Sequence, residues 1–208
     1  MRRALLACLL ALAGIPAAPA RAETAASADA ATAEAARAMR LIAAARARTQ
    51  RPERYDPAYF SIAYPGGDVP DDRGVCTDVI IRAYRHIGID LQVEVHEDMR
   101  AHFGRYPALW GLTRTDRNID HRRVPNLETY FTRRGAALPV AQEVATYRPG
   151  DLVTWRLPGN LPHIGIVSDR RSAAGVPLIL HNVGAGTQEE DALFAWPITA
   201  HFRYLPGR

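Results

Sequence analysis

The period of the hydrophobic pattern changes near Gly150, and that change limits the fold more than any other feature of the chain. Upstream, apolar residues recur at helical spacing. Val75, Val79, Ile80, Ala83, Tyr84 and Ile87 fall on one face, and Gly88 follows as a natural C-cap, so Cys76 to Ile87 reads as an amphipathic helix. Glu94 to Phe103 reads as a second helix and Pro125 to Arg134 as a third, opened by its proline. Downstream, Gly150 to Leu157, Pro162 to Asp169, Val176 to Asn182 and Ala200 to Tyr204 are short β-prone runs separated by turns. Arg170 to Gly175 is a polar loop, so the two runs that it joins form an antiparallel hairpin. Helices first and strands afterwards define an α+β domain.

The ends of this pattern set the organisation. Met1–Arg2–Arg3 is a short positive region, and Ala4 to Ile15 is apolar but too short to span a bilayer. Ala20–Arg21–Ala22 has the small-x-small form of a cleavage site. We therefore expect a signal peptide over 1–22, cleaved after Ala22, and a periplasmic or secreted protein with no membrane span. Glu23 to Gln50 is alanine-rich, with Met39, Leu41 and Ile42 as its only large apolar groups. It reads as a helix with a thin apolar stripe, so 23–51 forms an N-terminal helical segment and 52–208 the domain proper. Hydrophobic residues make up 48% and charged residues 23% of the 208, which excludes a disordered chain and a multi-span membrane protein. The formal charge of +4 falls to about +1 once Arg2, Arg3 and Arg21 leave with the leader, so no nucleic-acid partner is indicated. The chain has no lysine, which removes Schiff-base and Walker-lysine chemistry.

Cys8 also leaves with the leader. Cys76 is then a single thiol in an oxidising compartment, either a buried small hydrophobe or a reactive group. It stands at the predicted N-terminus of its helix, where free N–H groups and the helix dipole favour a thiolate. His163 opens the run His163–Ile164–Gly165–Ile166–Val167, and strand alternation puts it on one face with Gly165 and Val167. In the simplest hairpin register Asp169 pairs with Val176 and His163 faces Asn182; a one-residue bulge brings His181 there instead. Either side chain could fix the imidazole tautomer. The histidines carry no zinc-ligand spacing and the cysteines no pair, so neither a metal nor another cofactor is expected. Asp71–Asp72 and Glu189–Glu190–Asp191 read as solvated surface or helix caps. Asn118 to Arg123 reads as an ion-pair knot or a cleft lining. Trp110, Trp155 and Trp196 read as core or cleft wall.

Tyr64, Gly66–Gly67 and Gly74–Val75–Cys76, then Gly150 to Trp155, His163 to Val167 and Leu178 to His181, resemble the cysteine-bearing loop and the histidine-bearing strands of NlpC-type cell-wall hydrolases. Gly74–Val75–Cys76–Thr77–Asp78, Asn118–Ile119–Asp120–His121–Arg122 and His181–Asn182–Val183–Gly184 more narrowly resemble domain-of-unknown-function family 1287 over about Tyr55 to Tyr204. The resemblance implies a papain-like fold and a cysteine hydrolase that cleaves an amide bond in peptidoglycan peptides through a thioester. It implies Cys76 as nucleophile, His163 as base, His181 as the group orienting it with Asn182 as the alternative, and Tyr64 as an oxyanion donor. Thr77–Asp78 departs from the serine–glycine usual after the cysteine. A catalytically silent module that binds wall peptide or protein in the same cleft is the competing expectation.

Overall fold

A computed structural model describes residues 19–207. The first 18 residues, which hold most of the expected leader, lie outside it. The alanine-rich segment forms α1 (Pro19–Arg48), whose last turns bury Ala38, Leu41, Ile42 and Ala45 while Met39 stays exposed. The hydrophobic core therefore begins inside the N-terminal segment. Two residues of β1 (Arg54–Tyr55) run parallel to two of β2 (Arg73–Gly74), closing the long loop between them. Then come α2 (Cys76–His86), α3 (Leu91–Ala101) and α4 (Val124–Arg133). Helix α3 starts three residues before its expected Glu94, because the Asp90 carboxylate accepts the Gln92 N–H at 3.0 Å and caps it there. Among the described residues no helix is long and apolar enough to cross a membrane.

The second half is β3 (Ala137–Leu138), β4 (Leu152–Leu157), β5 (Leu161–Arg171), β6 (Pro177–Asn182), β7 (Thr187–Glu190) and β8 (Ile198–Phe202). They form a six-stranded antiparallel sheet in the order β3–β8–β4–β5–β6–β7, which makes the domain α+β as the pattern change requires. One face of the sheet packs on the helices, with Ile164, Ile166 and Leu180 meeting Leu41, Ile80 and Phe131. The other face carries Trp155, Val167 and Ile179 under Tyr147 and Leu193. Strand β7 was not expected, because Thr187–Gln188–Glu189–Glu190 has no apolar alternation. Its ladder to β6 and its charges hold it instead. Glu189 is not solvated surface: it accepts from Arg46 at 2.8 Å and from Ser168 at 2.5 Å, tying β7 to α1 and β5.

Candidate active site

Cys76 is the first residue of α2, and the geometry that places it starts upstream. Parallel pairing of Tyr55 with Gly74 brings the β1 tyrosine beside the residues that lead into the helix. The Asp78 carboxylate turns back to accept the Val75 N–H at 2.7 Å and grips Arg122 Nε and Nη2 at 2.9 and 3.0 Å. Arg122 also donates to the Ala58 carbonyl at 3.1 Å, and Thr77 Oγ1 donates to the Arg122 carbonyl at 3.0 Å. The Asn118–Arg123 segment is thus an ion-pair knot through Arg122 and Asp78, and it also walls the cleft. A cleft of about 390 Å³ opens over the helix start, lined by Tyr55, Tyr59, Cys76, Trp110, Arg123 and Pro162 among others.

His163 and His181 meet on the sheet. Neither simple register holds. Ile166 pairs with Leu180 and Val167 with Ile179, so Gly165 comes beside His181, and a Cβ on Gly165 would lie 3.2 Å from the His181 Cβ. The imidazoles share a face, and His163 Nε2 lies 2.8 Å from His181 Nδ1. Trp196 packs against both rings and Trp155 against His163, which shields the pair from water. Beyond it, His181 Nε2 is 3.5 Å from Glu190 Oε2. Asn182 points the other way: its Oδ1 accepts the Gly184 N–H at 3.1 Å. His181 is therefore the residue that touches His163.

The structure does not join Cys76 to His163 by a hydrogen bond. Cys76 meets the start of β5, where Pro162 walls the cleft and the backbone of Ile164 hydrogen-bonds the sulfur, while the His163 ring between them lies on the other sheet face with Trp155 and Trp196. The thiol is also not the thiolate that a helix start alone would favour. Burial, with Asp78 adding to it, outweighs the amides of Ile164, Thr77 and Cys76, and the thiol pKa is pushed up to about 12. His163 moves the opposite way: burial, helped by His181, brings its pKa down to about 3, so the ring is neutral near pH 7. We expect iodoacetamide, read at the Cys76 peptide, to label the folded chain more slowly at about pH 8 than the chain in denaturant. The rate should keep climbing above about pH 9, since a raised pKa lowers the thiolate fraction at every pH below it. Rapid labelling that levels off below about pH 7 would contradict the raised thiol.

Tyr64 is not at the site. Its hydroxyl donates to Glu97 at 2.9 Å and its ring packs on His96. The turn after it is held against the start of α3, where Gly66 N–H reaches Asp90 at 2.8 Å and Gly67 N–H reaches Gln92 at 2.9 Å. The tyrosine near the thiol is Tyr55, whose phenol is pushed up by burial first and then by Cys76 and Asp78. No sequence period marks it, because a two-residue parallel pairing positions it. Trp155 is core, as expected, with its Nε1 donating to the Leu193 carbonyl at 2.9 Å, whereas Trp110 is cleft wall.

An α+β domain whose first sheet-packed residue after a long loop is a thiol at a helix start, with a histidine pair on the neighbouring strands, is the class of protein defined here. The chain belongs to the family described as a domain of unknown function, DUF1287, whose model matches residues 42–204. It is 56% identical over 151 residues to the uncharacterized protein YijF of Escherichia coli (strain K12), covering 73% of this chain and 74% of that one. Among solved structures it is similar to NlpC1 from Trichomonas vaginalis, with a TM-score of 0.43 and 14% identity over 80% of this chain. The chain spans 44% of that protein's length.

Proposed function

We propose that this protein is a cysteine hydrolase of papain-like arrangement, cleaving an amide bond through a thioester, with a peptide of the bacterial cell wall as its substrate in the periplasm or outside the cell. The observation that carries the reading is the His163 Nε2 to His181 Nδ1 contact of 2.8 Å, because it leaves His163 Nδ1 without a hydrogen-bond partner one residue along β5 from Pro162, which walls the cleft that holds Cys76. If Nε2 of His163 carries the proton and donates to His181, Nδ1 is a bare acceptor of the kind a thiol needs. His181 then carries its own proton on Nε2, toward Glu190.

In this reading Cys76 Sγ attacks the amide carbonyl as its proton passes to His163 Nδ1. The C–N bond breaks, the imidazolium returns that proton to the leaving amine, and water then cleaves the thioester. The N–H groups at the start of α2 receive the carbonyl oxygen as it becomes negative. A neutral thiol and a neutral imidazole suit general-base attack rather than a resting ion pair. Contacts that carry protons are commonly long in a free enzyme and tighten once substrate is bound. No cofactor has a part in these steps.

The test is intact-mass detection of an acyl group on Cys76 after incubation with peptidoglycan fragments. A hydroxylamine-labile adduct at Cys76 is the expected result. The raised thiol and the missing Cys76–His163 bond favour a second reading, a silent module that binds wall peptide in the same cleft. Saturable binding with neither adduct nor cleavage would replace the first reading with the second.

A further inference from the structure

Arg123 is the unused charge of the cleft. It lines the same walls as Cys76, yet its guanidinium makes neither a side-chain hydrogen bond nor an ion pair, and its Nη1 is buried without an acceptor. Its neighbour Arg122 is fully engaged by Asp78 and the Ala58 carbonyl. Burial pulls the Arg123 pKa down, and the two carboxylates facing it, Asp120 and Asp116, act only from a distance. A buried N–H donor on a cation is costly to leave unmet.

The group is held in place without being neutralised. Its guanidinium carbon sits 4.2 Å over the centre of the Trp110 ring, a cation–π contact that holds the ion in place without using its N–H donors. Trp110 itself is 54% exposed and has a φ of 58°, an uncommon backbone state for a bulky residue. An exposed tryptophan kept in that state at the cleft edge, under an unpaired arginine, has the form of a ligand platform.

We propose that Arg123, stacked on Trp110, binds a carboxylate of the ligand that occupies the Cys76 cleft. A planar monoanion matches one guanidinium fork, since two parallel N–H···O bonds satisfy both partners. Much of the remaining lining, Val75, Ile119, Val124, Pro125 and Pro162, is apolar, and its other cation, Arg122, is already held by Asp78, which leaves little for a phosphate dianion to draw on. The ligand class is thus a short peptide or peptide-like chain with a free carboxylate close to the group that meets the thiol. This assignment rests on reading the cleft as the substrate site, but not on turnover.

Calorimetric titration of the full chain with alanyl-glutamate and with its diamide separates the possibilities. The parent is expected to bind the acid about tenfold or more tightly than the diamide. Arg123→Gln should bind the two alike, and Arg123→Lys, which keeps the charge but loses the fork, should regain only part of the preference. Circular dichroism of each variant establishes that the fold is intact. An unchanged preference for the acid in a folded Arg123→Gln overturns the proposal, and so does equal or absent binding of both peptides by the parent. Selective binding of the acid without any cleavage or adduct overturns the hydrolase reading alone and leaves the carboxylate site standing.

Discussion

Replacing Arg122 with methionine is expected to lower the unfolding free energy by about 3–5 kcal/mol, the range found when one partner of a buried ion pair is removed. Arg122 and Asp78 side chains are each only 2% exposed, so the carboxylate left behind would be buried without its counter-ion. The loss spreads beyond the pair. Arg122 also holds the loop carrying Ala58 and stacks near Phe60, 5.7 Å from its ring centre. Replacing Asp78 as well, by leucine, should restore part of the stability by removing the stranded charge. It should not restore all of it, because the Asp78 carboxylate also accepts the Val75 N–H at the start of α2. Urea unfolding of the parent, both single variants and the double variant gives the coupling directly. A single Arg122→Met variant within about 1 kcal/mol of the parent would mean that the knot does not hold the helix start.

The largest expected effect on activity follows removal of the thiol. Under the hydrolase reading, Cys76→Ala lowers kcat/KM on the cleaved peptide by about 10⁴-fold or more, and His163→Ala does about as much. Combining the two should add little, because nucleophile and base act as one unit. His181→Ala is expected to fall between these and the parent, since it removes the group that fixes the His163 tautomer and leaves both reacting atoms. Cys76→Ala should unfold close to the parent, because only the sulfur is lost from a small buried side chain. Hydrolysis by Cys76→Ala within tenfold of the parent would exclude the thioester route.

The elements that the chain announced in advance are those whose stability comes from apolar periodicity. Val79, Ile80, Ala83 and Tyr84 are buried in α2, and Ile164, Ile166 and Leu180 are buried in the sheet. Strand β7 escaped because polar Gln188 and Glu189 pair through backbone and charge, neither of which leaves a hydrophobic pattern. The two-residue strands β1 and β2 escaped for lack of length. That hid Tyr55, which lines the cleft, while Tyr64, which has the motif spacing, is anchored to α3. The choice between His181 and Asn182 depended on a register that only the folded hairpin fixes. The state of the thiol stayed open for a different reason: its position on the helix can be read from the sequence, its burial cannot. Arg123 was legible only as one of a charged segment, ion-pair knot or cleft lining, because an unpaired arginine and an ion-paired one are the same letter.

The strand order has a consequence for how the chain is made. β8, the last strand among the described residues, lies between β3 and β4 rather than at an edge. It also delivers His201, and Arg203 follows at once; these are the partners that hold the fully buried Asp151 at 2.7 Å each. A growing chain therefore carries an open slot in the middle of its sheet, beside an Asp151 carboxylate still without these two side-chain partners, until Ile198 to Arg203 arrive. Synthesis and folding are separated in time by the topology itself, and a ribosome stalled short of Ile198 would hold a protein that cannot yet close.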